Sequence, residues 1–165
     1  HEEQEMYIDK FISQNLKSSP EYTNERLHNI TPIIIEHISC GRDIVNMEEE
    51  GSLAYFFNIP EYNKESLFFK STKISSDNKY EILSGFMTRT LEILSSIEDS
   101  DWNKDSIKEK LSPFAEEVGR GDIFWPLRFS LSGREKSPDP FTLAEIFGKE
   151  ETTVRIKNAI KILSN

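Results

Sequence analysis

A short polar linker near the carboxyl end of the sequence holds the residues best suited to hydrogen-bond a ligand. It runs from 133 to 140, between two apolar segments with helical periodicity. Its candidate recognition residues are Arg134, Lys136, Ser137, Pro138, Asp139 and Pro140. The two prolines fix their own φ near about −65° and hold the serine and the aspartate before them in extended conformations, so we expect a stiff loop. A stiff loop that carries a hydroxyl, a carboxylate and cations can hydrogen-bond the edges of splayed RNA bases.

Arg128 and Trp125 extend this candidate surface onto the preceding segment. We predict a helix over 123–131, which places Arg128 one turn before the helix end and Gly133 as a left-handed cap. Trp125, like its neighbour Phe124, can stack on an unpaired base, which is worth roughly 1–3 kcal/mol per base. A well-specified connection between two helices explains the corner equally well, and spacing alone leaves both interpretations open.

Patterns for catalysis and for metal binding are weak. Lys70-Ser-Thr-Lys73 loosely resembles the lysine loop of class I aminoacyl-tRNA synthetases, but no alternation of strand and helix precedes it, which favours a linker. Glycine-rich phosphate loops and serine or cysteine nucleophile motifs are missing. His37 and Cys40 offer two possible ligands, whereas a structural zinc site needs about four. We therefore expect no catalytic residue and no metal.

Composition further restricts the possible classes of protein. The chain has 165 residues, one cysteine and a net charge of −9. A single cysteine cannot form an internal disulfide, which favours a reducing, cytoplasmic setting. Residues 1–118 carry 12 basic and 23 acidic side chains, whereas residues 119–165 carry 8 and 6. The acidic bulk argues against a general nucleic-acid-binding protein but leaves room for a local basic surface around the corner.

The elements that must position the corner are predicted to be helices throughout. Apolar residues recur with a 3.6-residue period, and the longest stripe predicts a helix from about 77 to 97. We interpret Pro32-Ile-Ile-Ile as a helix with proline in its first turn in preference to a short strand. Capping boxes are predicted at Ser106 and Thr142, and Gly148 is a predicted helix stop. The sequence thus indicates an all-α fold of two small packed subdomains, 1–72 and 73–165, joined in the polar stretch 71–77.

Several segments resemble, in order and spacing, the C-terminal end of bacterial-type glutamyl-tRNA synthetases. The family pattern is P-L-R-x-A-L-T-G, then S/T-P, then an apolar helix ending L-G-K-E, then a helix with R-x-x-x-A. The matching segments here are 126–133, 137–138, 143–150 and 155–160. The family pattern also matches residues further upstream, namely Arg42, the run 52–57, Pro60-Glu-Tyr62 and Trp102. The resemblance covers about residues 25–165.

The resemblance implies an anticodon-binding region of two helical subdomains of the α-helix cage type. It implies that Arg128 and Ser137-Pro138 read the anticodon loop of glutamate tRNA, and that Arg42 contributes from the first subdomain. Asp139 and Pro140 depart from the usual glycine–apolar pair of the family.

The family enzyme joins glutamate to its tRNA with ATP and Mg²⁺ through a glutamyl-adenylate. Its catalytic motifs are not found in this sequence, so the resemblance implies an excised C-terminal fragment of the ligase that is monomeric and inactive alone. A free-standing acidic helical adaptor that binds protein is the alternative.

Overall fold

The structure, a computed structural model, describes all 165 residues and contains α-helices and short 3₁₀ helices without strands, so the predicted all-α fold is confirmed. The α-helices are α1 (Glu2–Phe11), α2 (Gln14–Lys17), α3 (Asn24–Ile35), α4 (Gly41–Glu49), α5 (Lys79–Ser95), α6 (Lys104–Val118), α7 (Arg120–Ser132) and α8 (Pro140–Leu163). The 3₁₀ helices are Ala54–Phe56, Lys64–Leu67 and Asp99–Asp101. None of the helices combines the length and the apolar character that crossing a bilayer requires.

The chain forms two compact units, residues 1–59 and residues 60–165. The segment 60–72, assigned from sequence to the first subdomain, packs within the second unit. There the indole of Trp125 donates to the Ser66 carbonyl at 2.9 Å, and the Thr72 hydroxyl donates to the Asp122 carboxylate. The polar stretch 71–77 lies inside the second unit by its contacts, and the division into helical subdomains 1–72 and 73–165 stays a prediction.

The first unit packs α1, α3 and α4 around an aliphatic and aromatic core. Its fully buried members include Ile8, Ile30, Ile34, Ile44, Leu53, Phe56 and Phe57. The buried Arg26 guanidinium donates to the Phe56 carbonyl, which satisfies a backbone group that water cannot reach. Pro32 lies in the last turn of α3 rather than in its first, so the helical interpretation is confirmed and the proline position is wrong.

The second unit packs α5, α6, α7 and α8 together, and α5 falls within the predicted span 77–97. Its buried apolar side chains include Leu83, Met87, Leu94, Ile107, Leu111, Ile123, Leu127, Leu131, Leu143 and Ile156. The buried Arg155 lies among them with no exposed surface, and its guanidinium donates to the Leu131 carbonyl at 2.6 Å. The last turn of α7, which leads into the polar linker, is thereby fixed to α8.

Two helix starts differ from the predicted capping boxes. Asn103 caps α6 by accepting from the Ser106 amide at 2.9 Å, and Asp139 caps α8 by accepting from the Thr142 amide at 2.9 Å. Both predicted caps are therefore wrong by three residues. Asparagine and aspartate are strong N-cap residues, so they start each helix before the serine or threonine is reached.

Gly148 interrupts α8, as the predicted helix stop required, with φ 79° and ψ 168°. Because the backbone at Gly148 is not helical, the Ala144 carbonyl accepts hydrogen bonds from side chains. The Trp102 indole donates to it at 2.9 Å and the Thr152 hydroxyl at 3.3 Å. The kink is thus anchored to the segment before α6.

We predict that Gly148→Ala lowers the free energy of unfolding by about 1–3 kcal/mol, because this backbone region is open almost only to glycine. Gly85→Ala is the matched control, since an added Cβ meets nothing within 4 Å at either glycine but Gly85 is helical. Gly85→Ala should stabilise the protein by up to about 1 kcal/mol. Urea unfolding followed by circular dichroism measures both, and equal effects of the two substitutions would contradict the account.

Candidate nucleic-acid interface

The end of α7 has a conformation that requires glycine. Gly133 adopts φ 66° and ψ 19°, and its amide donates to the Phe129 carbonyl at 2.7 Å, so the predicted left-handed cap is confirmed. A Cβ at Gly133 would lie 2.5 Å from the Cβ of Pro60. The Tyr62 ring packs edge-on against Phe129 at 5.3 Å, and its buried hydroxyl has no hydrogen-bond partner. The corner is therefore packed tightly against the segment 60–62.

Arg128 holds the linker in shape. Its Nη1 donates to the Ser137 hydroxyl at 2.8 Å, and its Nη2 donates to the Glu135 carbonyl at 2.8 Å. The guanidinium carbon lies 4.9 Å from the centroid of the Trp125 ring. One planar cation thus joins the linker to an aromatic side chain of α7, a combination that the flexible ammonium of lysine does not reproduce.

Asp139 acts on α8 rather than facing outward as a free carboxylate. Its carboxylate accepts from the Phe141 amide at 3.0 Å, the Thr142 amide at 2.9 Å and the Thr142 hydroxyl at 2.7 Å. Burial raises the pKa of the Asp139 carboxyl, but these hydrogen bonds outweigh burial and leave the pKa below its ordinary value. Pro140, the first residue of α8, is buried and matches the preference of proline for that position.

The remaining linker residues surround this framework. The Ser137 hydroxyl, besides accepting from Arg128, donates to the Pro138 carbonyl at 2.9 Å. Arg134 and Pro138 are half-buried, whereas Lys136 is exposed. Lys136 is therefore the cation of the linker that is most open to a ligand.

An aromatic cleft of about 310 Å³ opens beside the corner. The residues that line it are Phe69, Arg120, Gly121, Phe124, Trp125, Arg128 and Pro140. The Trp125 indole is held by its hydrogen bond to the Ser66 carbonyl, and the Phe69 ring lies 6.2 Å from it. The Phe69 ring can pack this closely against α7 because residue 121 is glycine, where a Cβ would lie 2.3 Å from the ring. The cleft combines flat apolar walls with two guanidinium groups.

The structure brings together most of the predicted recognition residues. Trp125, Arg128 and Pro140 line the cleft, and the Ser137 hydroxyl and the linker carbonyls contact Arg128. Arg42 lies exposed on α4 in the first unit, and its contact with RNA stays a prediction. The roles of the other residues in recognition likewise stay predictions.

The sequence analysis missed Phe69, Arg120 and Gly121 as lining residues. Phe69 is 51 to 71 residues from the other lining residues, and the pair Phe68-Phe69 is more typical of a core. Arg120 follows a glycine at the start of α7, where no local pattern distinguishes it from an ordinary surface arginine. The only available signal was its position five residues before Trp125.

Comparison with known proteins identifies the family to which this chain belongs. A family model described as "Anticodon binding domain" matches residues 4–160. The chain therefore belongs to the anticodon-binding domain family.

The similar proteins are glutamate–tRNA ligases. One from Clostridium botulinum (strain Loch Maree / Type A3) is 31% identical over 159 residues, covering 94% of this chain and 31% of that protein. Another, from Clostridium tetani, is 34% identical over 114 residues, covering 67% of this chain and 22% of that protein. A crystal structure of a glutamate tRNA ligase from Elizabethkingia meningosepticum matches with a TM-score of 0.67 and 30% identity, over 96% of this chain and 29% of the other. The resemblance found from sequence is confirmed, and the chain spans less than a third of the length of these relatives.

We predict that the Asp139 cap makes stability sensitive to acid. Folding lowers the pKa of the Asp139 carboxyl below its ordinary value of 3.8. The contribution of Asp139 to stability is therefore complete above pH 3.8 and is lost as the pH falls through the folded-state pKa. Asp139→Ala should lower the free energy of unfolding by about 0.5–2 kcal/mol at pH 7. Asp139→Asn should lower it little at pH 7, but the free energy of unfolding should then fall less steeply at acid pH. Urea unfolding across the acid range measures this. Asp77→Asn, at an exposed loop position, is the control, and an unchanged acid limb in Asp139→Asn would contradict the account.

Proposed function

We propose that this chain binds the anticodon loop of glutamate tRNA, as the anticodon-binding region of a glutamate–tRNA ligase. The observation that carries the proposal is the aromatic cleft beside the corner that Arg128 holds together, in a chain of the anticodon-binding domain family. The relatives' names supply the amino acid and the kind of RNA.

The cleft suits an unpaired base. Trp125 and Phe69 line it with aromatic rings, and stacking of a base on such a ring is worth roughly 1–3 kcal/mol. Arg120 at the rim pairs with Glu116 at 3.6 Å, and both side chains are more than 60% exposed. Its guanidinium carbon also lies 5.7 Å from the centroid of the Phe124 ring, which lines the same cleft. An exposed pair of this kind contributes little to stability, so Arg120 can turn to a phosphate or a base without a large penalty.

The corner beside the cleft supports base discrimination through its fixed shape. Two of its acceptors, the Ser137 hydroxyl and the Glu135 carbonyl, already bind Arg128, and its prolines carry no amide hydrogen. We infer that Arg128 acts mainly by holding the linker in the conformation that a base meets. A direct contact of its guanidinium with RNA is the second part of its proposed role.

Charge limits how the RNA can be held. Residues 1–59 carry 4 basic and 11 acidic side chains, a net −7, and residues 60–165 carry 16 and 18, a net −2. Neither unit is basic enough to bind many phosphates. Binding should therefore depend on stacking and on a few local cations, such as the exposed Lys70, which pairs with Glu135 of the linker at 3.6 Å, with a shallow dependence on salt.

The chemical reaction of the whole enzyme takes place on parts of the ligase other than this chain. We propose that the full-length ligase acts in the cytoplasm as a monomer, with ATP and Mg²⁺ bound by parts of the enzyme that this chain does not match. No residue of this chain is assigned to either cofactor, and no catalytic residue is proposed here.

Fluorescence anisotropy with a labelled anticodon stem-loop of glutamate tRNA tests the function. A loop with a scrambled anticodon is the control, and both are titrated at two salt concentrations. Preference for the cognate loop at both salt concentrations is the expected result. Equal binding of both loops, or none, would contradict base reading. Binding of a protein partner with no response to RNA would favour the acidic adaptor.

We predict that Arg128→Lys loses nearly as much affinity for the cognate stem-loop as Arg128→Ala. Lysine retains the charge but its ammonium cannot reproduce the two linker hydrogen bonds together with the contact over the Trp125 ring. Each variant should lose about 1–3 kcal/mol, measured by anisotropy with folding checked by circular dichroism. Near-complete rescue by lysine would show that Arg128 serves only as a charge near phosphate and would contradict its positioning role.

Lys136→Ala should affect both loops equally. Since Lys136 is exposed in the linker, we expect it to contact phosphate without reading a base. Its loss should reduce the slope of log K against log salt by about 0.7, the value for one contact with single-stranded nucleic acid. A loss of affinity confined to the cognate loop would instead make Lys136 a base reader.

A further inference from the structure

Three side chains with metal-binding groups converge where α1 begins. They are His1, Glu5 and His28, and their ligand atoms all lie within 4.8 Å of one another. Oε1 of Glu5 is 2.6 Å from Nδ1 of His28 and 4.0 Å from Nδ1 of His1. The two imidazole rings are 5.2 Å apart between centroids. The cluster belongs entirely to the first unit and is separate from the aromatic cleft.

Two helices hold this cluster in place. His1 directly precedes α1 and lies four residues before Glu5, and the Glu5 amide donates to the His1 carbonyl at 3.0 Å. His28 comes from α3, which packs against α1. The Glu5 side chain is only 19% exposed, whereas the imidazoles of His1 and His28 are 62% and 56% exposed. A sheltered carboxylate thus lies beneath two imidazoles that an ion can reach from solvent.

We propose that His1, Glu5 and His28 form a binding site for a divalent transition-metal ion of the zinc type. Zinc–nitrogen and zinc–oxygen bonds are about 2.0–2.2 Å long, which places tetrahedral ligand atoms about 3.4 Å apart. Oε1 of Glu5 lies 2.6 and 4.0 Å from the two Nδ1 atoms, on either side of that value, and all the ligand atoms lie within 4.8 Å of one another, so side-chain rotations bring them into range. Two imidazoles and one carboxylate suit Zn²⁺, Co²⁺, Ni²⁺ and Cu²⁺ and do not suit Mg²⁺ or Ca²⁺. Water completes the coordination.

The surroundings favour a cation. The first unit has a net charge of −7, and α1 adds Glu2 and Glu3 in its first turn beside Glu5. A bound ion would link the start of α1 to α3 and stabilise the first unit. No local sequence pattern indicates this site, and we expected no metal from sequence, because Glu5 and His28 are 23 residues apart and only their packing joins them.

Titration of the untagged protein with Co²⁺ and Zn²⁺ tests the proposal, by calorimetry and by the visible absorption of bound Co²⁺. The variants are Glu5→Gln and His28→Ala. His37→Ala is the matched control, because His37 is an exposed histidine of the same unit outside the cluster. We expect one ion per chain. Each cluster variant should bind at least about tenfold more weakly, as even loss of an outer-sphere partner does, and the control should bind normally.

A second readout is the melting temperature. Saturating Zn²⁺ should raise Tm in the wild type and in His37→Ala but not in the two cluster variants, because a ligand stabilises only the state that binds it. Circular dichroism without metal establishes that each variant folds. Absence of binding, binding that survives both cluster substitutions, or equal loss in His37→Ala would each overturn the proposal.

Discussion

The corner that carries the candidate site depends on one buried charge. Arg155 in α8 has no exposed surface, and its guanidinium donates to the Leu131 carbonyl at 2.6 Å and to the Glu151 carboxylate at 3.0 Å. It also packs against the Phe147 ring at 3.8 Å. The last carbonyls of a helix lack partners within the helix and carry partial negative charge, so this cation satisfies one of the last carbonyls of α7. Removing one partner of such a buried pair costs about 3–5 kcal/mol.

The position of Arg128 follows from that anchor. With Leu131 fixed to α8, α7 ends where Gly133 can turn, and Arg128 faces the linker that it holds. Asp139 then starts α8 on the far side of the linker. The corner is therefore fixed at both ends by its helices and in the middle by one guanidinium, which makes its shape a property of the packed unit rather than of the linker alone.

An acidic protein that binds RNA must rely on short-range contacts. Long-range attraction is absent when both units are negative, so association should be slower and less salt-dependent than for a basic domain. The cleft between Phe69 and Trp125 meets this requirement, because stacking needs contact and not net charge. The few cations near the cleft then orient the backbone without binding nucleic acid in general.

The sequence predicted those features that depend on neighbouring residues. The helical fold, the cap at Gly133 and the break at Gly148 follow from apolar periodicity and from the backbone freedom of glycine. The caps at Asn103 and Asp139 were missed because a serine or threonine three residues later fits the same local pattern. Phe69 in the cleft, and the pairing of Glu5 with His28, depend on packing between distant segments and have no local signal.

Nuclear magnetic resonance of the two tryptophan indoles tests the central claim most directly. Trp125 lines the cleft, whereas Trp102 donates to the Ala144 carbonyl, and both indole N–H groups make a hydrogen bond of 2.9 Å within the protein. Trp102 is therefore an internal control, and Trp102→Phe assigns the two signals. Titration with the anticodon stem-loop of glutamate tRNA should shift the Trp125 signal and leave that of Trp102 unchanged. If the stem-loop binds but the Trp125 signal does not shift, or only the Trp102 signal shifts, the cleft is not the site of an unpaired base.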